Sequence, residues 1–482
     1  MRSLIYLALP RLPFVVAYAL ALILSTSATA IPVIPGAVGF GMATVAGRGG
    51  AVMTVTSLAN SGPGTLREAL EASGPRTVIF AKSGNINLTR SIVITSPFIT
   101  IAGQTAPSPG IQVTGAAIVI RTHDVLIQHI RVRPGGARGG PNPRTRDAIS
   151  ISATRSTDTY NVVLDHVSLA WSVDGLLDTF APRGRWVREV TIRNSILAEA
   201  LHCPPPADSG TCLHPKGDHS RANLIGNGAK NVTVWRNVYV RNQGRNPMLI
   251  ARVTGVAVVN NVVYKPGPFN TSRIDVNNAS GTETAYATIE GNVVITRDAD
   301  TNHKAVLVRG TGPTQLYLAN NTVVVPNPPG TETIYSPLDP WDTASKGVLG
   351  LQDGHTVANT KVASRPTGSW PGRLPVLTRN IESIVLASAG ARPADRDADD
   401  ARIINDVKER TGPDFYDMPP FDGPQTLAEN SAADTLPADP SGDSDGDGYT
   451  NLEEWLHSKA AVVEAGLRLP LAVRPRGFTP AR

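Results

Sequence analysis

From about Gly49 to Val325 the chain repeats one theme: a short β-branched run, a polar turn residue, then another short run. Early examples start at Ile92, Ile99, Ala117 and Val125. Later ones are VVLDHVSL (162–169), VTIRNSIL (190–197), VTVWRNVYV (232–240), VAVVNNVVY (256–264), ATIEGNVVI (287–295) and LYLANNTVVV (316–325). His166, Asn194, Asn237, Asn261, Asn292 and Asn321 each follow the first run of a segment, at spacings of 28, 43, 24, 31 and 29 residues. Repeats of this size mark a solenoid. Their uneven spacing predicts coils of fixed cross-section joined by loops of unequal length. A propeller would show longer, more even repeats of four strands each. Asn suits the bend because it tolerates left-handed backbone and bonds to nearby backbone groups. Stacked Asn side chains can also bridge successive coils. No ten-residue amphipathic helices separate the runs, which excludes a βαβ pattern. Aromatic residues make up only 5% of the chain, in keeping with many short aliphatic strands.

The flanks read differently. Residues 1–30 have the features of an export signal: an apolar run from Phe14 to Leu24, the small-residue site Ala28-Thr29-Ala30, and only Arg2 and Arg11 charged. The run is short for a membrane span, and an uncleaved anchor is the competing reading. Residues 65–72 (TLREALEA) predict a helix that caps the open end of the solenoid. The solenoid domain is assigned to 31–330 and wrapping loops with a helix at 398–411 to 331–412, with Gly412 as the helix stop. An acidic, Pro-rich linker is assigned to 413–442, a calcium loop and helix to 443–466, and a tail to 467–482.

Losing the two leader arginines lowers the formal charge from +5 to +3. The charge is clustered: Arg131, Arg133, Arg138, Arg144 and Arg146 predict a surface patch for a polyanion. For an exported chain an acidic glycan is the expected polyanion rather than nucleic acid. Cys203 and Cys212, in CPPPADSGTC, predict a local disulfide in an oxidising compartment. The flanking His202 and His214 keep a zinc site as the minor alternative.

DSDGDGYTNLEE places Asp443, Asp445, Asp447, Asn451 and Glu454 at positions 1, 3, 5, 9 and 12 of a twelve-residue calcium loop, with Gly448 at the turn. A helix follows and none precedes, so it reads as a single half-hand of structural purpose. An acidic linker without metal is the alternative.

Five segments taken together, TSLANSGPGTLREALEASGPRTVIF, ITIAGQTAPSPGI, VLDHVSLAWSVDGLLD, HSRANLIG and RNQGRNPML, resemble the pectate lyases in kind and in order over residues 53–330. The resemblance implies an all-β fold, a right-handed parallel β-helix, and β-elimination on polygalacturonate with calcium (Ca2+). It implies that Asp147, Asp174 and Asp178 hold the active-site calcium, since a bound cation offsets a cluster of like charges. It assigns proton abstraction to Arg245 of Arg245-Asn246-Pro247, an unusual role for a side chain that ordinarily keeps its proton. Arg221 matches a lysine that grips the sugar acid, and His219 is a second candidate for substrate binding. Two positions depart from the pattern. Thr145 replaces a fourth acidic ligand, and Ile250 replaces a second arginine, for which Arg252 would substitute if strand alternation kept it on the same face. His166 reads mainly as a stacked turn residue, and Trp171 as core or sugar platform.

The competing functions are a pectin lyase, a polygalacturonase-like hydrolase with Asp174 and Asp178 as its carboxylate pair, and a noncatalytic polysaccharide-binding β-helix. The expected partner is acidic plant cell-wall polysaccharide, with neither nucleic acid nor membrane after leader removal. The expected state is a secreted monomer, with a periplasmic destination left open.

Overall fold

Short Val- and Ile-rich runs become strands because branched side chains pack well on a pleated surface, and here each strand lies directly above its predecessor. The computed structural model describes residues 31–136, 142–203, 212–267, 273–279, 282–297, 304–327, 331–343, 348–414, 424–432 and 434–465. Among these, three sheets of ten, nine and ten strands run the length of the molecule. In each sheet the neighbour of a strand is usually the third one along the chain, so every coil adds one strand to each sheet. The first sheet runs from Ala51–Val55 to Thr314–Ala319, the second from Ile92–Ile94 to Leu349–Leu351, and the third from Gly84–Asn87 to Thr331–Tyr335. Among the described strand pairs of the three sheets only the last pair of the third sheet is antiparallel, beside an isolated antiparallel bridge of Lys82 with Ser431. The fold is therefore a parallel β-helix.

The interior is a set of aliphatic stacks. In the first sheet Ile99, Val125, Val162, Val190, Val232, Val256, Ala287 and Leu316 pair one on the next, and all are buried. The capping helix forms at Leu66–Glu71. Thr65 accepts from the Glu68 N–H, and Leu66 and Leu70 are buried against the first coils.

The asparagines form a ladder, one residue out of phase with the bend. Asn237 N–H and Nδ2 both donate to Asn261 Oδ1, at 2.9 and 3.0 Å. Asn261 does the same to Asn292 at 3.0 Å, and Asn292 to Asn321 at 3.1 and 2.9 Å. The residues that take left-handed backbone are the preceding ones: His166, Asn194, Arg236, Asn260 and Asn320, with φ between 49 and 56°. His166 and Asn194 therefore belong to the bend, and Ser195 takes the ladder position. Its N–H donates to Asn237 Oδ1 at 3.0 Å.

The predicted basic patch is not a surface. Arg131 and Arg133 are fully buried. The helix Ala398–Glu409 lies over them: Arg133 bonds Asp397 Oδ2 at 2.5 Å and Asp400 Oδ1 at 2.7 Å, and Arg131 Nε lies 3.2 Å from Asp397. Asp397 also N-caps that helix, so one carboxylate serves cap and ion pair. Arg146 is buried, Arg144 is exposed, and Arg138 falls outside the described residues. The basic run reads as a polyanion site only because the acidic covering helix lies far along the chain. That helix ends at Arg410, left-handed at φ 58°, rather than at Gly412. A further helix, Ile381–Ser388, seats Ile381, Val385 and Leu386 on the same sheet. Residues 424–432, within the stretch read as a linker, run beside the first strand of the third sheet, with Asn430 accepting from Ser83 N–H at 3.0 Å.

Truncating Asn261 to Ala leaves the Asn237 N–H and the Val234 carbonyl, its 3.0 Å partner, without their bonds. A loss of about 2–4 kcal/mol is expected in urea unfolding. Asn320→Gly, at an exposed left-handed position, is expected to stay within about 0.5 kcal/mol.

Candidate active site

Four successive coils of the second sheet bring charged groups to one outer edge. Asp147 stands ahead of strand Ile149–Ser152 and Asp174 ahead of Gly175–Phe180, with Asp178 inside that strand. Arg221 opens Arg221–Gly226, and Arg245 precedes Met248–Ile250. The register sets Ile149 on Leu177, Gly175 on Arg221 and Arg221 on Gly244. Backbone bonds tie the turns together. Gly175 N–H donates to Asp147 Oδ1 at 2.8 Å, and the Val173 and Asp174 N–H groups both donate to the Arg146 carbonyl at 3.2 Å.

Gly175 permits the closest approach. A Cβ there would strike Asp178 Oδ1 and lie 3.3 Å from Asp147 Oδ1. Two carboxylate oxygens from neighbouring coils thus converge over a bare Cα. Burial, together with the charges of Asp178 and Asp174, pushes the Asp147 carboxyl well above the usual range. Burial also raises Asp178 to about 6, against the opposing pull of Arg245, whose Nη1 lies 3.4 Å from Asp178 Oδ2. Oxygen donors that raise one another's proton affinity in a desolvated pocket suit a hard divalent cation of the calcium type. Among the described residues Arg221 Nη1 is buried without a hydrogen-bond partner, which leaves a donor for an incoming anion.

Asp174 keeps different company. Its Oδ1 lies 2.9 Å from His219 Nε2 and 3.9 Å from His214 Nε2, and the two rings stack at 3.9 Å. Burial lowers the pKa of both imidazoles, His214 to about 4. His219, expected at the substrate, is thus a partner of Asp174. The segment that delivers these rings is fixed by a Cys203–Cys212 disulfide with Cα atoms 4.7 Å apart, so neither sulfur is available to zinc.

The remaining expectations divide. Arg252 does not share the face of Ile250: residues 251 and 252 both take left-handed backbone (φ 40 and 52°), and strand alternation stops there. Arg252 lies instead over Trp186 and 3.7 Å from Glu283. Trp171 is buried and donates to Glu199 Oε2 at 3.0 Å, so it is a core residue. Thr145 is exposed on the short turn Pro143–Thr145. Sequence reasoning gave His214 only the alternative zinc role beside the cysteines, and gave no site role to Lys216, whose charge favours ionised Asp178, or to Gly175. The usable signal was the glycine between two aspartates in SVDGLLD. In the C-terminal loop, ligand oxygens of Asp443, Asp445 and Asp447 lie within 4.8 Å of one another. Local desolvation and the charges of Asp445, Asp447 and Asp443 raise the Glu454 pKa. Asn451 Oδ1 accepts from Ser444 N–H at 3.2 Å.

No family model matches the chain. It is 38% identical over 246 residues to the probable pectate lyase C of Emericella nidulans, covering 51% of this chain and 50% of that one. It is 37% identical over 241 residues to the probable pectate lyase C of Aspergillus oryzae, covering 50% and 49%. Its curated relatives are named pectate lyases. The resemblance read from the five segments holds, and the chain spans about half the length of these pectate lyase relatives. Among solved structures, the major allergen from cedar pollen matches at TM-score 0.48 and 20% identity, covering 73% of this chain and 92% of that chain. A pectate lyase from Paenibacillus sp. 0602 matches at 0.44 and 13%, covering 76% and 98%. Likeness at this level adds nothing to the three sheets already described.

Asp147→Asn removes one of the mutually repelling carboxylates. The variant is expected to melt at a higher temperature than the parent in chelator and to gain less from added calcium. A lower melting temperature in chelator, with an undiminished calcium increment, would rule out the charge cluster as a cation site.

Proposed function

We propose that the protein is an exported polysaccharide lyase that cleaves demethylated polygalacturonate by calcium-assisted β-elimination. The observation that carries this reading is the convergence of Asp147 and Asp178 oxygens over Gly175, with Arg245 and Arg221 on the adjoining coils. The pectate lyase names of the relatives supply the reaction class. Asp147, Asp174 and Asp178 would hold the cation. When bound, calcium withdraws charge from the uronate carboxylate and so acidifies the C5 proton. Arg221 grips the sugar acid through its unpartnered guanidinium nitrogen. Arg245 would take the C5 proton on a guanidine nitrogen, a step that requires the neutral guanidine and returns it to guanidinium. The C4–O bond breaks, a C4–C5 double bond forms, and solvent protonates the departing oxygen. His219 and His214 position Asp174 rather than contact sugar. Ile250 leaves the groove one cation poorer, so fewer uronate residues are held. The disulfide supports an oxidising compartment, and the leader-like residues 1–30, which lie outside the described residues, support export. Among the described residues no helix is long and apolar enough to cross a membrane. The C-terminal loop, through Asp443, Asp445, Asp447, Asn451 and Glu454, holds a second, structural calcium.

On polygalacturonate with calcium, ultraviolet absorbance of a new unsaturated uronate is expected, abolished by chelator. Arg245→Ala is expected to lower kcat by about 10²–10⁴-fold, the scale of a positioned proton acceptor. Arg221→Ala is expected to act mainly on KM. New reducing ends without that absorbance would mean hydrolysis, and silence on this substrate and on methylated pectin would mean a binding protein.

A further inference from the structure

A second cluster of ligand-type side chains lies on the first sheet and the bend that follows it, apart from the second-sheet edge of the candidate active site. His129 and His166 occupy equivalent bends on successive coils, both with left-handed backbone, and their rings stack at 5.1 Å. Asp165 precedes His166. Glu464 arrives from elsewhere, as the last residue of the helix Asn451–Glu464 that leads out of the C-terminal acidic loop. One ligand atom from each of the four lies within 4.8 Å of all the others.

The distances fit a four-coordinate ion. His129 Nε2 lies 3.1 Å from Glu464 Oε1, His166 Nδ1 3.0 Å from Asp165 Oδ1, and His166 Nδ1 3.5 Å from Glu464 Oε1. A tetrahedron with bonds of about 2.0–2.1 Å has edges of about 3.3–3.4 Å. The tautomer is set as well. His129 Nδ1 lies 2.8 Å from the Ala391 carbonyl, which can only accept, so Nδ1 carries a hydrogen and in the neutral ring Nε2 is the lone-pair nitrogen. His129 and His166 are at least 98% buried, yet among the described residues neither His129 Nε2 nor His166 Nδ1 makes an aligned hydrogen bond despite oxygens within 3.1 Å. Two buried ring nitrogens and two carboxylates therefore aim at one point. Asp165 is held from outside that point: Gln128 Nε2 donates to Oδ2 at 3.0 Å, Asn194 Nδ2 to Oδ1 at 3.3 Å, and Arg193 Nε lies 2.9 Å from Oδ1. With both imidazoles neutral, as metal ligation requires, two carboxylates against Arg193 leave one net negative charge for a divalent ion to offset.

We propose that His129 Nε2, His166 Nδ1, Asp165 and Glu464 form a transition-metal site of the zinc type. Two imidazoles make calcium a poor occupant, since hard cations prefer oxygen alone. The ion would join the C-terminal helix to the solenoid at the helix end opposite the acidic loop, so that the helix is clamped at both ends.

Cobalt(II) titrated into the calcium-saturated full-length chain tests this. One ion per chain is expected, with the strong visible d–d bands of a four-coordinate site. Glu464→Gln, at the partly exposed helix end, keeps the fold by circular dichroism and loses the bands. His129→Gln also loses them, and zinc binding weakens by more than the roughly tenfold cost of losing even an outer-shell partner. His219→Gln keeps them, which separates this site from the Asp174 imidazoles. Absent bands in the parent, bands that survive in folded Glu464→Gln, or bands lost in His219→Gln would each overturn the proposal.

Discussion

Everything in this molecule depends on each coil lying in parallel register on the one before. A strand of a parallel sheet cannot satisfy its own backbone, so every coil presents unpaired N–H and C=O groups that only the next coil can complete. Fixed register then turns a property of one residue into a row. Interior valines and isoleucines become continuous stacks. Asparagines one residue beyond the bend become a ladder in which each amide oxygen takes two donors from its neighbour. At the second sheet the same register places Asp147, Asp178, Arg221 and Arg245 on consecutive coils.

The outer faces show a complementary constraint. A solenoid has sides as well as ends, and a side that is not solvated must be covered by something of matching character. The third sheet is covered by helices that put Ile403, Ile404 and Val407 on its apolar strip and Asp397, Asp399 and Asp400 on Arg131 and Arg133. Glu199 is treated in the same way, enclosed by Arg241 and Arg402 and bonded by Trp171. Buried charges of this kind hold a fixed geometry more than they add net stability, because desolvation offsets much of the attraction. The carboxylates at the second sheet differ: among the described residues only Arg245 forms an ion pair with Asp178, and burial with neighbouring carboxylates raises the Asp147 pKa.

Much of the fold was legible because its cause is local and periodic. The β-branched runs, the helix capped by Thr65, the disulfide of the Cys203–Cys212 loop and the alternating oxygens of residues 443–454 each depend on neighbours in sequence. Two local readings failed by a single conformational step. The Asn ladder sits one residue beyond the left-handed bend, and Arg252 leaves the face of Ile250 because residues 251 and 252 both turn. Residue type alone does not fix φ at a bend, so phase could not be read more finely.

By itself the sequence determined the coil rhythm and the aliphatic filling, since these follow from composition at short range. Tertiary structure alone decided the partners. It turned Arg131 and Arg133 from an apparent polyanion patch into a buried anchor, gave Asp174 to His219 and His214, and carried Glu464 to His129 and His166. Each of these depends on where a remote segment lands on the stacked coils. That landing is set by the summed fit of a covering helix to a whole face, which no single stretch of sequence contains.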